Sequence, residues 1–356
     1  MILLNQYWKN YLKQLSLNSL YTINQIAKNI NGDIEGDPDF MINGVCDLIN
    51  GETNKIAYVL SEKYTPYINK TKASAILINN SLVINEKGKN LIRVENPGLS
   101  FIEIINMFKP NKKNKIGIHE KAVIDNEVKL GKEVYIGPYA VIEKGTIIHD
   151  KVSIGAGSFI GENTKIGYKT NIKANVTIYH DVIIKDNCII ESGSIIGADG
   201  FGLVSDNGIH HKMPHVGNVI INNNVWIGAN CCIDRGTLND TIIDEGTKFD
   251  NFIQIAHNVK IGKNCRISGQ TAIAGSSILE DNITIGGQVG IIDHLHIGAN
   301  TVIAAKSAVF ESIKPNSFIS GIPAKPHKNR LRQEVIINQL PEILNRLRKI
   351  EKNENN

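Results

Sequence analysis

The chain has 356 residues and little cysteine. Cys46, Cys188, Cys231, Cys232 and Cys265 form an odd set without a CxxC pair. That excludes a disulfide framework and a zinc ribbon and leaves incidental thiols in a reducing compartment. Long apolar runs are missing as well. The N-terminus, MILLNQYWKNYLKQ, turns polar too soon for the core of a signal peptide, and no later run approaches the ~20 residues of a membrane span. These absences lead us to expect a soluble, cytoplasmic protein with no integral membrane segment. Charge of one sign is scarce: 39 Lys and Arg face 35 Asp and Glu, a formal net charge of +4. Nucleic-acid binding, which usually shows a concentrated basic stripe, is therefore not expected. The apolar fraction of 42% rules against a disordered chain, and the length suffices for two or three domains.

What the chain has in abundance is a period of six. From Ile118, steps of six meet Ile or Leu at every position through Ile196, among them Ile124, Leu130, Ile136 and Ile142. The pattern returns at Ile221, Ile227 and Ile233, slips by four residues, and runs again from Ile243 and Phe249 to Val309. A small or β-branched residue often stands two positions earlier, as in Val134, Ala140 and Thr146, and glycine often follows. Six fits neither an amphipathic helix nor a single half-buried strand. It fits a short strand and a turn, three per triangular coil of 18 residues, with each aliphatic pointing inward onto the coil below. About ten coils, stacked at ~4.8 Å, give a prism roughly 45–50 Å long. The pattern resembles the hexapeptide-repeat left-handed parallel β-helix, so the fold class expected is mainly β.

Residues 1–115 lack the period. SLYTINQIAKNI reads as a helix with Ile23, Ile26, Ala27 and Ile30 on one face, and MINGV, NKIAYVLSEKY, ASAILIN and NLIRVEN read as strands or strand–helix turns. FIEIINMF reads as a helix closing this α/β domain, and Lys112 to Lys115 as a linker. The prism is expected over 116–311, interrupted by GADGFGLVSDNGIHHKMPHVGN (197–218) and by the slip at DRGTLNDT (234–241). An excursion cannot sit inside a stacked core, so these segments lie outside it, where loops carry binding and catalysis. Over 312–356, SFISGIPAKPHK leaves the prism; RQEVIINQL and PEILNRLRKIEK read as two helices, with Pro341 in the first turn of the second.

Four stretches carry a more specific likeness: GDIEGDPDFMINGV with KIAYVLSEKY; GADGFG with KMPHVGNVII; IGANCCIDRGTLNDTIIDEGTKFDNFIQIAHNVKIG; and GGQVGIIDHLHIG with SGIPAKP. With these the chain resembles the UDP-3-O-(3-hydroxyacyl)glucosamine N-acyltransferases of lipid A biosynthesis. The resemblance implies a homotrimer with active sites in clefts between prisms. It implies transfer of a 3-hydroxyacyl chain from the 4'-phosphopantetheine of acyl carrier protein to the 2-amine of a UDP-sugar, with no other cofactor and no metal. By motif, His257 is the general base, as befits a group titrating near neutrality. Asp250, seven residues upstream, would orient or tune it. Gly275, one coil later, would offer its N–H as an oxyanion hole, and His294 would bind substrate or balance charge. The uridine site maps onto Tyr58, Ser61 and Tyr64, with Ser61 replacing the family's usual asparagine. Lys325, in GIPAKP, falls beside the pantetheine arm, and Arg330, Arg332, Arg346, Arg348 and Lys349 would meet acidic acyl carrier protein. Asp293, beside His294, and His215, where glutamine is usual, depart from the family pattern.

Three other readings compete. The sister O-acyltransferase uses the same prism but has no separate N-terminal uridine-binding domain, and residues 1–115 argue against it. A zinc hydratase would need convergent histidines; His257, His294 and His296 are available, without evident zinc-site spacing. A non-catalytic scaffold would leave His257, Asp250 and the N-terminal domain without a purpose.

Overall fold

A computed structural model describes residues 20–84, 88–109, 115–321 and 327–354. The chain divides into two compact units, Met1–Asn114 and Lys115–Asn356.

In the first unit, a four-stranded sheet has the order Asp33–Glu35, Asn90–Val94, Ala75–Asn79, Ile56–Tyr58. The first pair is antiparallel and the others parallel. Helix Ile23–Asn29 starts at Thr22, whose hydroxyl accepts the Gln25 N–H while Gln25 accepts the Thr22 N–H. This reciprocal cap satisfies donors that a helix start leaves open. Ile23, Ile26, Ala27 and Ile30 are buried on the face anticipated from their spacing. Helix Pro97–Phe108 adds Phe101 and Ile104 to the same core.

The second unit is a parallel β-helix whose faces hold eleven, ten and nine strands. Each rung pairs with one 18 residues on, as Ile136 does with Ile154 and Ile154 with Ile172. The inward aliphatics and the small residues two positions earlier make one continuous core. The glycines after the aliphatics serve close approach rather than a turn conformation. A Cβ on Gly155 would fall 2.4 Å from the Ala174 nitrogen of the next coil. Asparagine is the commonest residue at the left-handed corners, for example Asn175 (φ 56°) and Asn258 (φ 62°), because it tolerates that region better than most side chains.

Interruptions leave the stack intact. Pairing jumps from Ile184 to Ile221 and from Ile190 to Ile227 across the excursion, then from Ile221 to Ile243 and Ile233 to Ile255 across the slip. The insertions are thus extruded except at their ends, where Ala198 pairs with Asp234 across a local bulge and Thr241 with Val219. Within the first, Leu203–Asp206 and Ile209–Lys212 form an exposed antiparallel hairpin.

Two expectations for the C-terminal segment are corrected. The prism does not stop at residue 311: Phe318–Ile319 pairs with Val302–Ile303, and Ile313 bridges to Ile297. These partners are 16 residues apart (319 − 303 and 313 − 297) rather than 18, so a fixed step walks past them. Beyond it, one helix, His327–Glu354, runs through Pro341 in place of two. Proline costs a helix one backbone bond, about 3 kcal/mol; Leu340, Glu342, Leu344, Arg346 and Leu347 around it are strong helix formers. Among the described residues no helix is long and apolar enough to cross a membrane.

Because each aliphatic is gripped by coils on both sides, trimming one in mid-stack leaves a cavity that the rigid rungs cannot close. Ile255, fully buried, should lose about 2–5 kcal/mol as Ile255→Ala. Denaturant unfolding checks this, and a loss under about 1 kcal/mol would contradict such packing.

Candidate active site

Strand Gln254–Ile255 ends at a corner occupied by His257 and Asn258. On the next coil the same corner carries Gly275 and Ser276, and on the following one Asp293 and His294; the N–H of Ser276 donates to the His257 carbonyl (2.9 Å) and that of His294 to the Gly275 carbonyl (3.0 Å). Asn258, Ser276 and His294 all sit at positive φ (62°, 61° and 58°). Eighteen-residue stacking thus places His257 and Gly275 together.

The imidazole lies in a slot between two glycines. A Cβ on Gly275 would fall 2.6 Å from His257 Cε1, and one on Gly200 would fall 2.9 Å from Cβ and Cδ2. No side chain fits at either place unless the ring moves. Gly200 belongs to the GADGFG end of the excursion, which folds over the corner together with His215. The His215 ring is buried and meets His257 edge to face, with centroids 5.4 Å apart. Its Nδ1 lies 2.9 Å from the Met213 carbonyl, which requires an N–H there.

The protonation of His257 follows from its neighbours. Asn258 donates from Nδ2 to the Asn239 carbonyl (2.7 Å), and its Oδ1 accepts the Thr237 N–H (3.0 Å). Oδ1 is therefore an acceptor, and His257 Nδ1, 3.1 Å away, must carry the hydrogen. Thr237 Oγ1 stands 3.5 Å from the same nitrogen. In the neutral ring the lone pair is then on Nε2, on the Gly275 side. The DRGTLNDT slip thus builds the wall behind the imidazole, with Asn258 as its tie. Sequence reading missed Asn258; its signal was the Asn directly following His in AHNV.

Asp250 does not take that place within one chain. It sits at the other end of the Gln254–Ile255 face, where Oδ1 accepts the Asn251 N–H (2.8 Å) and Oδ2 the Gly269 N–H (3.1 Å). A cavity of about 470 Å³ opens there, lined by Asp250, Phe252, Gly269, Gln270, Gln288 and Lys306 among others. His294 also stays apart from His257 in its contacts: its side chain is 75% exposed, with Nε2 3.9 Å from Asp293 Oδ2. His296 pairs with Glu280 at 2.9 Å.

A larger cavity, about 790 Å³, lies on the His257 side of the face. Ala256, Ala272, Ala274 and Gly290 form an open shelf, and Asp199, Asp234 and Asp293 supply its carboxylates. Phe201 and Phe310 line it too, 85% and 71% exposed, so large apolar surface is left for an apolar ligand or a neighbouring chain. Asp234 is a second residue that sequence reading did not single out. Burial pushes its carboxyl up to about 6, against the lowering pull of the Gln254 hydrogen bond and of His257. Asp199 is held below the usual range, chiefly by the Lys212 ammonium bonded to it. Neighbouring Arg235 is buried and turns away, donating to the Gly197 and His180 carbonyls (2.8 and 2.7 Å).

In the N-terminal unit, Tyr58 stacks on Phe101 with centroids 4.2 Å apart, so one of its faces is occupied by the core. Ser61 is exposed and precedes the turn Glu62–Tyr64. Tyr64 is half-buried, with the Lys63 ammonium 4.8 Å from its ring. Lys325 lies outside the described residues. Arg330 falls within helix His327–Glu354, and Arg332, Arg346, Arg348 and Lys349 are exposed along it.

The chain is similar to known proteins. Residues 39–107 match the family described as UDP-3-O-(3-hydroxymyristoyl) glucosamine N-acyltransferase. Residues 127–162 and 159–198 match the bacterial transferase hexapeptide (six repeats). The chain is 43% identical to a UDP-3-O-acylglucosamine N-acyltransferase of Methylacidiphilum infernorum over 333 residues, 93% of this chain and 95% of that one. It is 36% identical to one from Coxiella burnetii over 334 residues, 93% and 97% of the two chains. Among solved structures, an Arabidopsis UDP-N-acetylglucosamine acyltransferase aligns with a TM-score of 0.53 at 25% identity, covering 58% of this chain and 71% of that one.

Two outcomes follow from the slot and from Asp234. Gly275→Ala should expel the imidazole from its place, costing about tenfold or more in any activity that uses it; a crystal structure with the ring unmoved would refute the slot. For Asp234, the folded-state value of about 6 exceeds the roughly 4 of an unfolded aspartate. The native state then holds the extra proton between these values, and stability falls as pH rises through them. Asp234→Asn should therefore gain in melting temperature over wild type between pH 4 and pH 8, and a constant gap in calorimetry would count against burial of that carboxylate.

Proposed function

The chain belongs to the UDP-3-O-acylglucosamine N-acyltransferase family, and we propose that it moves a 3-hydroxyacyl chain from acyl carrier protein to the 2-amine of UDP-3-O-(3-hydroxyacyl)glucosamine, in lipid A biosynthesis, with His257 as general base. The observation carrying this reading is the tautomer of His257, whose Nδ1–H is tied to Asn258. An amine attacking a thioester must lose a proton, and a neutral imidazole with a free Nε2 can take it at neutral pH.

The negative charge then forms on the thioester oxygen. Gly275 is the donor proposed for it: its N–H makes no hydrogen bond among the described residues, and the absent side chain lets a carbonyl approach. When C–S cleavage follows, the proton held by His257 passes to the departing thiol of the pantetheine arm. Acyl carrier protein is acidic, and the exposed Arg332, Arg346, Arg348 and Lys349, with Arg330 and Lys325, would speed and orient its docking. Tyr58, Ser61 and Tyr64 would hold the uridine, stacking being open only on the Tyr58 face away from Phe101.

We read the working form as a homotrimer. The two ends of the Gln254–Ile255 face then border different clefts, and any action of Asp250 on an imidazole falls to the Asp250 of a neighbouring subunit. The exposed Phe201 and Phe310 suit such a boundary or the acyl chain lying in it. His294, at the same corner as His257, would meet substrate from its exposed position.

His257→Ala should lower N-acylated product, followed by mass spectrometry with 3-hydroxyacyl carrier protein as donor, by about 10²-fold or more in a protein of unchanged circular dichroism and size. Undiminished activity would remove His257 from the base role. Failure of the wild type on this acceptor, with success on UDP-N-acetylglucosamine, would replace the substrate assignment.

A further inference from the structure

N-acylation poses a proton problem that O-acylation does not. A hydroxyl arrives neutral and gives up one proton. An amine of the α-amino type titrates at about 8, so near neutral pH most of it arrives as an ammonium ion. It must lose one proton to free its lone pair and a second after the C–N bond forms. His257 accounts for one of these.

Asp234 is placed to account for the other. It lies on the strand below Gln254, in register with the shelf beside His257, and lines the same cavity as Gly200, Gln254 and Ala256. Gln254 Nε2 donates to Oδ2 (2.9 Å) and holds the carboxyl group in place; no hydrogen bond to Oδ1 is made among the described residues. The cavity's other two carboxylates are met by cationic or titratable partners, Asp199 by Lys212 at 2.7 Å and Asp293 by His294 at 3.9 Å. Asp234 has no such ion pair among the described residues, and Arg235 beside it points to backbone carbonyls instead. A half-buried carboxylate without a cation is costly to maintain, and a bound ammonium relieves that cost.

We propose that Asp234 receives the acceptor's amino group as an ammonium ion and takes its first proton, leaving His257 to take the second. This rests on the N-acyl-transfer reading given above. The protons balance. The first passes from nitrogen to Asp234, and the freed lone pair forms the C–N bond. The second passes from nitrogen to His257 and on to the thiolate as the C–S bond breaks, and Asp234 returns its proton to solvent. Burial that pushes the Asp234 carboxyl up to about 6 brings it closer to the amine than an ordinary aspartate would be. The titratable and charged groups around it are His257 above, Asp199 with Lys212 from the excursion, Asp293 across the cavity and Cys232 on its own strand, while Arg235, next in the chain, turns away.

The test is kcat/KM for the acceptor between pH 6 and 9.5, in wild type and Asp234→Asn, a substitution that keeps an oxygen for Gln254. The variant should be down about tenfold at pH 7, where only about a tenth of the amine is free, and recover to within about threefold at pH 9.5, where nearly all of it is. A deficit of equal size at every pH in a folded variant, or no deficit, would overturn the role of Asp234 and leave the N-acyltransferase reading standing. Absence of product from wild type would take both down. Should Asp234→Asn fail to fold, Gln254→Leu decides: losing that hydrogen bond must move the acid limb of the profile to higher pH, and an unmoved limb would overturn the proposal.

Discussion

The hydrogen bonding of each coil to the next at a fixed offset is the constraint on which the remaining architecture rests. Once Ile255 is in register with Ile273 and Ile233 with Ile255, the outward positions beside them have little freedom. Asp234, Ala256 and Ala274 come to share a face, while His257, Gly275 and Asp293 share a corner. Chemistry on such a scaffold is a matter of which residue occupies a predetermined address. The aliphatic interior supplies rigidity, and the exterior is free to vary.

The insertions do what the repeat cannot. A bare prism has a flat exterior, and an imidazole standing on it would be wet and free to rotate. The excursion brings Gly200 and His215 over the His257 ring, and the slip brings Thr237 and Asn239 behind it through Asn258. Asp199, Gly200 and Phe201 of the excursion also line the cavity in which burial raises the Asp234 carboxyl. Placing these segments outside the stack keeps them from disturbing the pairing beneath, since the coils on either side still meet in register.

Much of this was legible in the sequence. The six-residue step located the rungs from Ile118 to Val309 and made Gly275 a neighbour of His257 by counting eighteen. Counting fails where the number of residues per coil changes or where an insertion makes contacts of its own. The closing coil was missed because it is two residues short. Asp250 was paired with His257 through the family's motif; around a triangular coil seven residues separate two corners of one chain. The contacts of Asn258 with the slip, and the excursion residues that share a cavity with Asp234, belong to segments without a period. The helix through Pro341 was divided by a rule about where proline is preferred, which does not state where it is forbidden.

The shortened last coil bears on why such a molecule stays finite. A stack of identical rungs presents unpaired backbone groups at its ends, and in principle one prism could dock on the end of another without limit. Here the closing turn pairs at 16-residue spacing, which an eighteen-residue coil cannot match on all its sides. Pro315, packed against Gly298 where a Cβ would come within 2.3 Å of its nitrogen, brings no N–H to the rim. The same backbone repetition that builds the wall is thereby denied a template at this end, and fibre growth from it is disfavoured by geometry rather than by charge.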